Sequence, residues 1–233
     1  MKKTIGILLL ALSATVSAKN IVVNGTRFIY PAGDKEVTVQ LNNTANRPAL
    51  VQTWLDTGNP EQSPDTITTP FSITPPITRV DGNAGQTLRI RAINKAGIPT
   101  DRESIWWLNI LEIPPKPTAA KAQGESVLQL AIRSRFKFIY RPENLGDRDN
   151  AAEKLVLKAQ GKNLRIDNPT PFFITVSKIT KGTGVSLNSA AVMIAPKSTQ
   201  TVSLKAEVRS NEKLTVSNIN DYGSDTETPL TTN

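Results

Sequence analysis

The stretch LQLAIRSRFKFIYRP, residues 128 to 142, constrains the fold more than any other feature of the chain. Its even positions read Leu128, Leu130, Ile132, Ser134, Phe136, Phe138 and Tyr140. Its odd positions read Gln129, Ala131, Arg133, Arg135, Lys137, Ile139 and Arg141. Side chains alternating with a period of two point to opposite faces of an extended strand. This is a long two-faced strand, apolar on one face and mostly cationic on the other.

The rest of the chain repeats the pattern in shorter units. Strand-like segments run over 20–30, 36–41, 50–55, 87–92 and 104–113, with Pro, Gly, Asn and Asp between them. SIWWLNILEI (104–113) is apolar throughout, as a strand buried in a sandwich would be. No stretch shows a sustained helical period with caps. The fold class is all-β, of sandwich type. At 233 residues the chain is too long for one ordinary sandwich and suits two domains of about 100 residues each. The polar run ENLGDRDN (143–150) is the expected hinge, after which the strand pattern restarts at 164–166, 172–176, 192–194, 201–206 and 213–216. The division is 1–18, 19–142, 143–150 and 151–233. The Thr-rich tail after Tyr222 is expected to fray.

Composition removes whole classes of function. With no Cys there is no disulfide or thiolate, and with no His there is no Ser-His-Asp triad or ordinary zinc site. No GxxxxGK[ST] loop is present, so no nucleotide cofactor is expected. Lys2 and Lys3, the short apolar run Ile5–Leu12 and the small residues Val16-Ser17-Ala18 read as a secretory signal over 1–18, with the mature chain starting near Lys19. That run falls short of the roughly 20 residues a membrane span needs, so no membrane insertion is expected. The net charge is +8, and two basic residues and no acids lie in 1–18. Export argues against a nucleic-acid partner for this surplus, and solvated surface charge accounts for most of it.

The loop Pro114–Ser126 (PPKPTAAKAQGES) precedes the long strand and reads as an exposed loop ahead of an edge strand. A long apolar edge invites aggregation, which proteins normally suppress, so one that is kept should have something meant to pair with it. From its period alone, the set Leu128, Leu130 and Ile132 either packs in the protein's own core or serves such a partner.

Several motifs in order resemble one family. GTRFIYPAG (25–33), PFSITPP (70–76), DRES followed by WWLNILEIPP (101–115), LQLAIRSRFKFIYRP, NPTPFF (168–173) and INDYG (219–223) are similar to the periplasmic chaperones of chaperone–usher pili. The resemblance covers the whole mature chain. It implies two immunoglobulin-like β-sandwich domains in an L- or boomerang-shaped arrangement. It also implies a periplasmic, non-enzymatic chaperone that completes fimbrial subunits by donor-strand complementation and delivers them to an outer-membrane usher. Carried over residue by residue, Leu128, Leu130 and Ile132 are the apolar donors, and Arg27 and Lys137 anchor the subunit's C-terminal carboxylate. Glu103, Arg141 and Asp221 form ion pairs between the domains. Arg133 and Arg135 match no assigned position and are expected on the solvent side of the strand. The short loop and the lack of Cys resemble the short-loop branch, which serves rod-like fimbriae. An edge of this kind also predicts self-association when no subunit is bound.

Two other functions compete. An exported carbohydrate- or adhesion-binding sandwich would use Trp54, Trp106 or Trp107 as stacking platforms, although the paired Trp lie in an apolar run that suits core packing. A carboxylate hydrolase would use Asp101 and Glu103, which fall on one side of a strand, but two acids without a visible polar pocket do not make a catalytic site. No catalytic residue and no metal site is assigned.

Overall fold

The computed structural model describes residues 21–115, 129–182 and 184–233. The proposed signal, Leu128 and nearly all of the Pro114–Ser126 loop lie outside them. Among the described residues there is no α-helix, only two short 3-10 turns at Pro64–Thr66 and Ala151–Lys154.

The N-terminal half contains β1 (Ile21–Val23), β2 (Arg27–Pro31), β3 (Val37–Asn43), β4 (Ala49–Asp56), β5 (Phe71–Thr74), β6 (Ile77–Val80), β7 (Gly85–Ala92), β8 (Ser104–Ile113) and β9 (Ile132–Arg141). They form one sheet in the order β1-β3-β7-β5 and a second in the order β2-β9-β8-β4-β6. Alternation decides what lies between them. Val39, Leu41, Leu88 and Ile90 face Val51, Leu55, Leu108, Ile110, Phe138 and Tyr140 in one buried cluster. An aromatic group completes it, with Phe71 edge-on to Trp106 at 4.9 Å and to Phe138 at 5.1 Å. Trp106 is thus a packing residue.

The C-terminal half contains β10 (Val156–Asn168), β11 (Ile174–Thr180), β12 (Val192–Ile194), β13 (Ser198–Val208), β14 (Lys213–Ile219) and β15 (Asp225–Thr231). One sheet runs β12-β11-β14-β15 and the other pairs β10 with β13. Leu157, Leu164, Ile166, Phe172, Ile174, Val176, Ile179 and Val216 fill a second cluster that shares no residue with the first.

Three expectations need correction. The segment 20–30 is two strands, because the chain crosses from one sheet to the other at Gly25, whose φ of +133° is open to glycine and strained for other residues. The tail after Tyr222 is not frayed. β15 pairs with β14 along its length, and Asn233 N donates to Leu157 O at 2.7 Å. Thr is polar by hydropathy but β-branched, and Thr228 and Thr232 are buried, so an apolar-periodicity reading misses this strand. The long strand is shorter than the 128–142 stretch, since residues 129–131 lie outside β9, and it is an edge over half its length only, because β2 covers residues 137–141.

Two separate cores predict separable effects of truncation. Leu108→Ala and Leu164→Ala should each cost about 2–5 kcal/mol in their own domain. Trp54, Trp106 and Trp107 all lie in the N-terminal domain. Urea unfolding followed by Trp fluorescence should therefore shift strongly for Leu108→Ala and weakly for Leu164→Ala. Equal shifts would show one cooperative unit instead of two.

Candidate functional site

The edge and the cationic face of β9 are built by two different pairings. Against β8 the strand runs antiparallel from Ile132 opposite Glu112 to Tyr140 opposite Ser104. Against β2 it runs parallel, but only from Lys137 beside Arg27 to Arg141 beside Pro31. Residues 132–136 therefore have a ladder on one side. The apolar period continues past the point where the core ends. Phe138 is fully buried and Phe136 half-buried, while Ile132 is 44% and Leu130 64% exposed. Of the two placements open to this set, Leu130 and Ile132 do not pack in the protein's own core.

The in-register pairing sets Arg27 and Lys137 next to each other, and both reach the C-terminal half. Lys137 Nζ donates to Thr175 Oγ1 on β11 at 2.7 Å, and Arg27 Nη1 donates to Ile219 O on β14 at 3.3 Å. Arg27 Nε is buried without a hydrogen-bond partner among the described residues. Burial, with the Arg27 charge second, lowers the Lys137 pKa to about 8. Burial and then the like charge of Arg148 lower that of Arg27, opposed by Asp221. Two half-desolvated cations side by side favour an anion with two oxygens, and a carboxylate fits the Arg fork.

Behind the pair, Arg141 ties the domains together. Its Nε donates to Glu103 Oε1 at 2.7 Å, and Nη1 and Nη2 donate to the two Asp221 oxygens at 2.7 and 2.9 Å. Glu103 also accepts from Phe173 N at 2.7 Å, and its own N donates to Pro171 O at 2.9 Å. Burial raises the Glu103 pKa, partly offset by Arg141. The Glu103 carboxyl is therefore committed to the opposite domain. Asp101 lies apart from it and binds Arg102 and Lys197. The two acids thus engage different partners, unlike the facing pair a hydrolase would need. The turn after β14 closes on the same seam. Gly223 has φ +87°, and a Cβ there would meet Thr26 Oγ1, so glycine permits the close approach.

Arg133 and Arg135 are not free solvent charges. The Arg135 guanidinium sits 4.6 Å from the Trp107 ring centroid, and Arg133 sits 5.0 Å from that of Trp54. Both reach Asp56, at the end of β4, whose side chain is fully buried. An open hollow of about 840 Å³ on this face is lined by Trp54, Pro60, Pro64, Ile77, Leu111 and Arg133. With an Arg over each ring, Trp54 and Trp107 are poor stacking platforms for a sugar.

Comparison with known proteins converges on one family. The pili and flagellar-assembly chaperone N-terminal domain matches residues 20–146, and the pili assembly chaperone C-terminal domain matches residues 150–230. The chain belongs to the pilus-assembly chaperone family. It is 60% identical to chaperone protein MrkB of Klebsiella pneumoniae, over 94% of each chain. It is 43% identical to chaperone protein HifB of Haemophilus influenzae, over 93% of this chain and 90% of that one. Among solved structures it is similar to the CupB2 chaperone of Pseudomonas aeruginosa. There the TM-score is 0.77 and the identity 35%, over 91% of this chain and all of that one. The two halves are thus immunoglobulin-like β-domains of a pilus chaperone.

Two largely buried charged residues of this chaperone had no signal in the sequence. Arg148 lies in the polar 143–150 run, where an Arg looks solvated. Its side chain is only 9% exposed, and it donates to Phe173 O at 3.3 Å and Ile219 O at 3.5 Å. Asp56 closes an apolar strand, and only the register opposite Trp107 reveals its company.

The cleft yields two predictions. Removing one partner of a buried ion pair strands the other, so Arg141→Ala should cost about 3–5 kcal/mol by denaturant titration, with Glu103→Gln in the same background recovering part of it. For Lys137 the folded pKa of about 8 lies below the value of roughly 10.4 for an unfolded chain. Below pH 8 the charged form carries its desolvation cost in the folded state, and that cost fades as pH rises from 8 to 10. Lys137→Met should therefore be more stable than wild type at pH 7, with the gap closing by about pH 10. A gap independent of pH would show that Lys137 is not desolvated.

Proposed function

We propose that this protein is an exported periplasmic chaperone that holds fimbrial subunits by donor-strand complementation and delivers them to an outer-membrane usher. The observation that carries the reading is the apolar face of β9, which runs out of the protein's own core onto an open ladder edge. A subunit lacking one strand would supply the missing ladder and the pockets. In this reading Leu128, Leu130 and Ile132 are the donors, and burial of each contributes about 1.5–3 kcal/mol. Arg27 and Lys137 receive the subunit's C-terminal carboxylate, which fixes register by anchoring one end. Glu103, Arg141 and Asp221 set the angle between domains 19–142 and 151–233. The structure of a Salmonella enterica pilin with its chaperone, to which this chain is similar at TM-score 0.75 and 27% identity over 92% of its length, supports a subunit partner.

Residues 1–18 serve as the export signal and are removed. The energy for delivery comes from holding the subunit less compact until a neighbouring subunit replaces the donor, so no enzymatic step or nucleotide enters. When free, the protein self-associates through the same edge. The carbohydrate-binding alternative is disfavoured by the Arg side chains over Trp54 and Trp107.

The test is co-purification of wild type, Lys137→Ala and Leu130→Asp with a panel of candidate fimbrial subunits. Wild type should bring down a soluble one-to-one complex and both variants should lose it. Equal capture by all three would sink the anchor and donor assignments. Binding of a glycan in place of any subunit would favour the adhesion-type alternative.

A further inference from the structure

The open half of β9 presents a mechanical problem. Residues 132–136 bond to a neighbour on one side only and lead into the segment before them, so by ladder alone they would be among the first to fray. A strand that must be ordered upon binding loses affinity in proportion to the fraction of time it is disordered.

The odd face supplies a hold that the ladder lacks. Asp56 and Asn109 are both completely buried beneath the two Arg side chains. Asp56 accepts from both ends of the Arg135 guanidinium, with Nε at 3.0 Å, and from Asn109 Nδ2 and Gly58 N, each at 2.7 Å. Asn109 Oδ1 in turn accepts from Arg133 Nε at 2.9 Å and Nη2 at 2.7 Å, and Arg133 Nη1 reaches Pro60 O. Each guanidinium is thereby held over a Trp of the same sheet, Arg135 over Trp107 of β8 and Arg133 over Trp54 of β4. A buried carboxylate of this kind is weak evidence for stability, since well-packed apolar residues in its place are often as stable. What it does supply is direction. Two adjacent odd side chains pinned to one face of the sheet fix the strand's rotation, which commits Ile132 to the opposite, apolar face at the open edge.

Resting on the donor-strand reading, we propose that Asp56 is a positioning residue for subunit capture. Through Arg135 and Asn109–Arg133 it holds the open half of β9 in the extended, outward-facing state before any subunit arrives. It touches no subunit itself.

The test compares wild type, Asp56→Asn and, as a milder change on the accessible side of the cluster, Arg135→Gln. Amide exchange is measured on the free proteins diluted until they are monomeric, so that pairing between copies does not protect the edge, and association and dissociation rates with a purified pilus subunit on all three. The expected result is exchange of the 132–136 amides about tenfold faster or more, with strands β11 and β14 unchanged. A fall in association rate of about threefold or more should accompany it, with a smaller change in dissociation. Unchanged exchange at 132–136 overturns the proposal, even if the melting temperature falls. So does unchanged association in a variant whose strand does exchange faster. If Asp56→Asn fails to fold, Arg135→Gln decides by the same two readouts. Failure of wild type to bind any subunit counts against the donor-strand reading, whereas exchange in the free protein still decides whether Asp56 holds the strand.

Discussion

The parallel pairing of β2 with the C-terminal half of β9 is the constraint on which the rest of the molecule depends. It covers five residues of β9 and stops. Where it exists, Phe138 and Tyr140 are locked into the core and Arg27 is brought beside Lys137. Where it ends, the same strand becomes an open edge with its apolar face uncovered. A β2 two residues longer would close much of the edge, and a shift of one residue in register would turn Arg27 away from Lys137. The open edge and the Arg27–Lys137 pair are thus two consequences of one short ladder.

The seam between the two halves holds more positive than negative side chains. Arg27, Lys137, Arg141 and Arg148 converge there against Glu103 and Asp221. The two acids are engaged by Arg141 and Arg148, which leaves Arg27 and Lys137 to neutral oxygens of Ile219 and Thr175. The group that joins the domains and the Arg27–Lys137 pair are therefore adjacent and distinct in chemistry. Arg141 is neutralised internally by Glu103 and Asp221. Arg27 and Lys137 are partly desolvated and hydrogen-bond only neutral oxygens among the described residues, which favours an anion beside them in the proposed reading.

Much of the fold was legible because sandwich strands carry their burial in their alternation. β8 was read to its exact ends because it is an unbroken apolar run, and β3, β4 and β7 to within two residues of theirs because buried and exposed side chains alternate there. β15 was not, because Thr and Pro hide a paired strand from a hydropathy reading. β5 and β6 are four residues each, too short for a period to register. At the site, the positions of Arg27, Lys137, Glu103, Arg141 and Asp221 came from motif resemblance. Residues outside any motif stayed dark. Arg148 looked like a hinge charge, and Arg133 and Arg135 looked like solvated ones, although each is packed on an aromatic ring.

By itself the sequence determined an all-β chain of two domains with one strand whose apolar and cationic faces are separated by the pleat. Those properties are local, since alternation and turn residues act within a few positions of chain. Only the tertiary structure decided how much of that strand is left open, which cation meets which acid, and that Asp56 sits beneath the Arg ladder. These depend on which strand lies beside which and in what register. Asp56 and Arg135 are 79 positions apart, Arg27 and Ile219 192. Contacts across such separations arise when the sheets and domains pack, and no short window of sequence contains both partners.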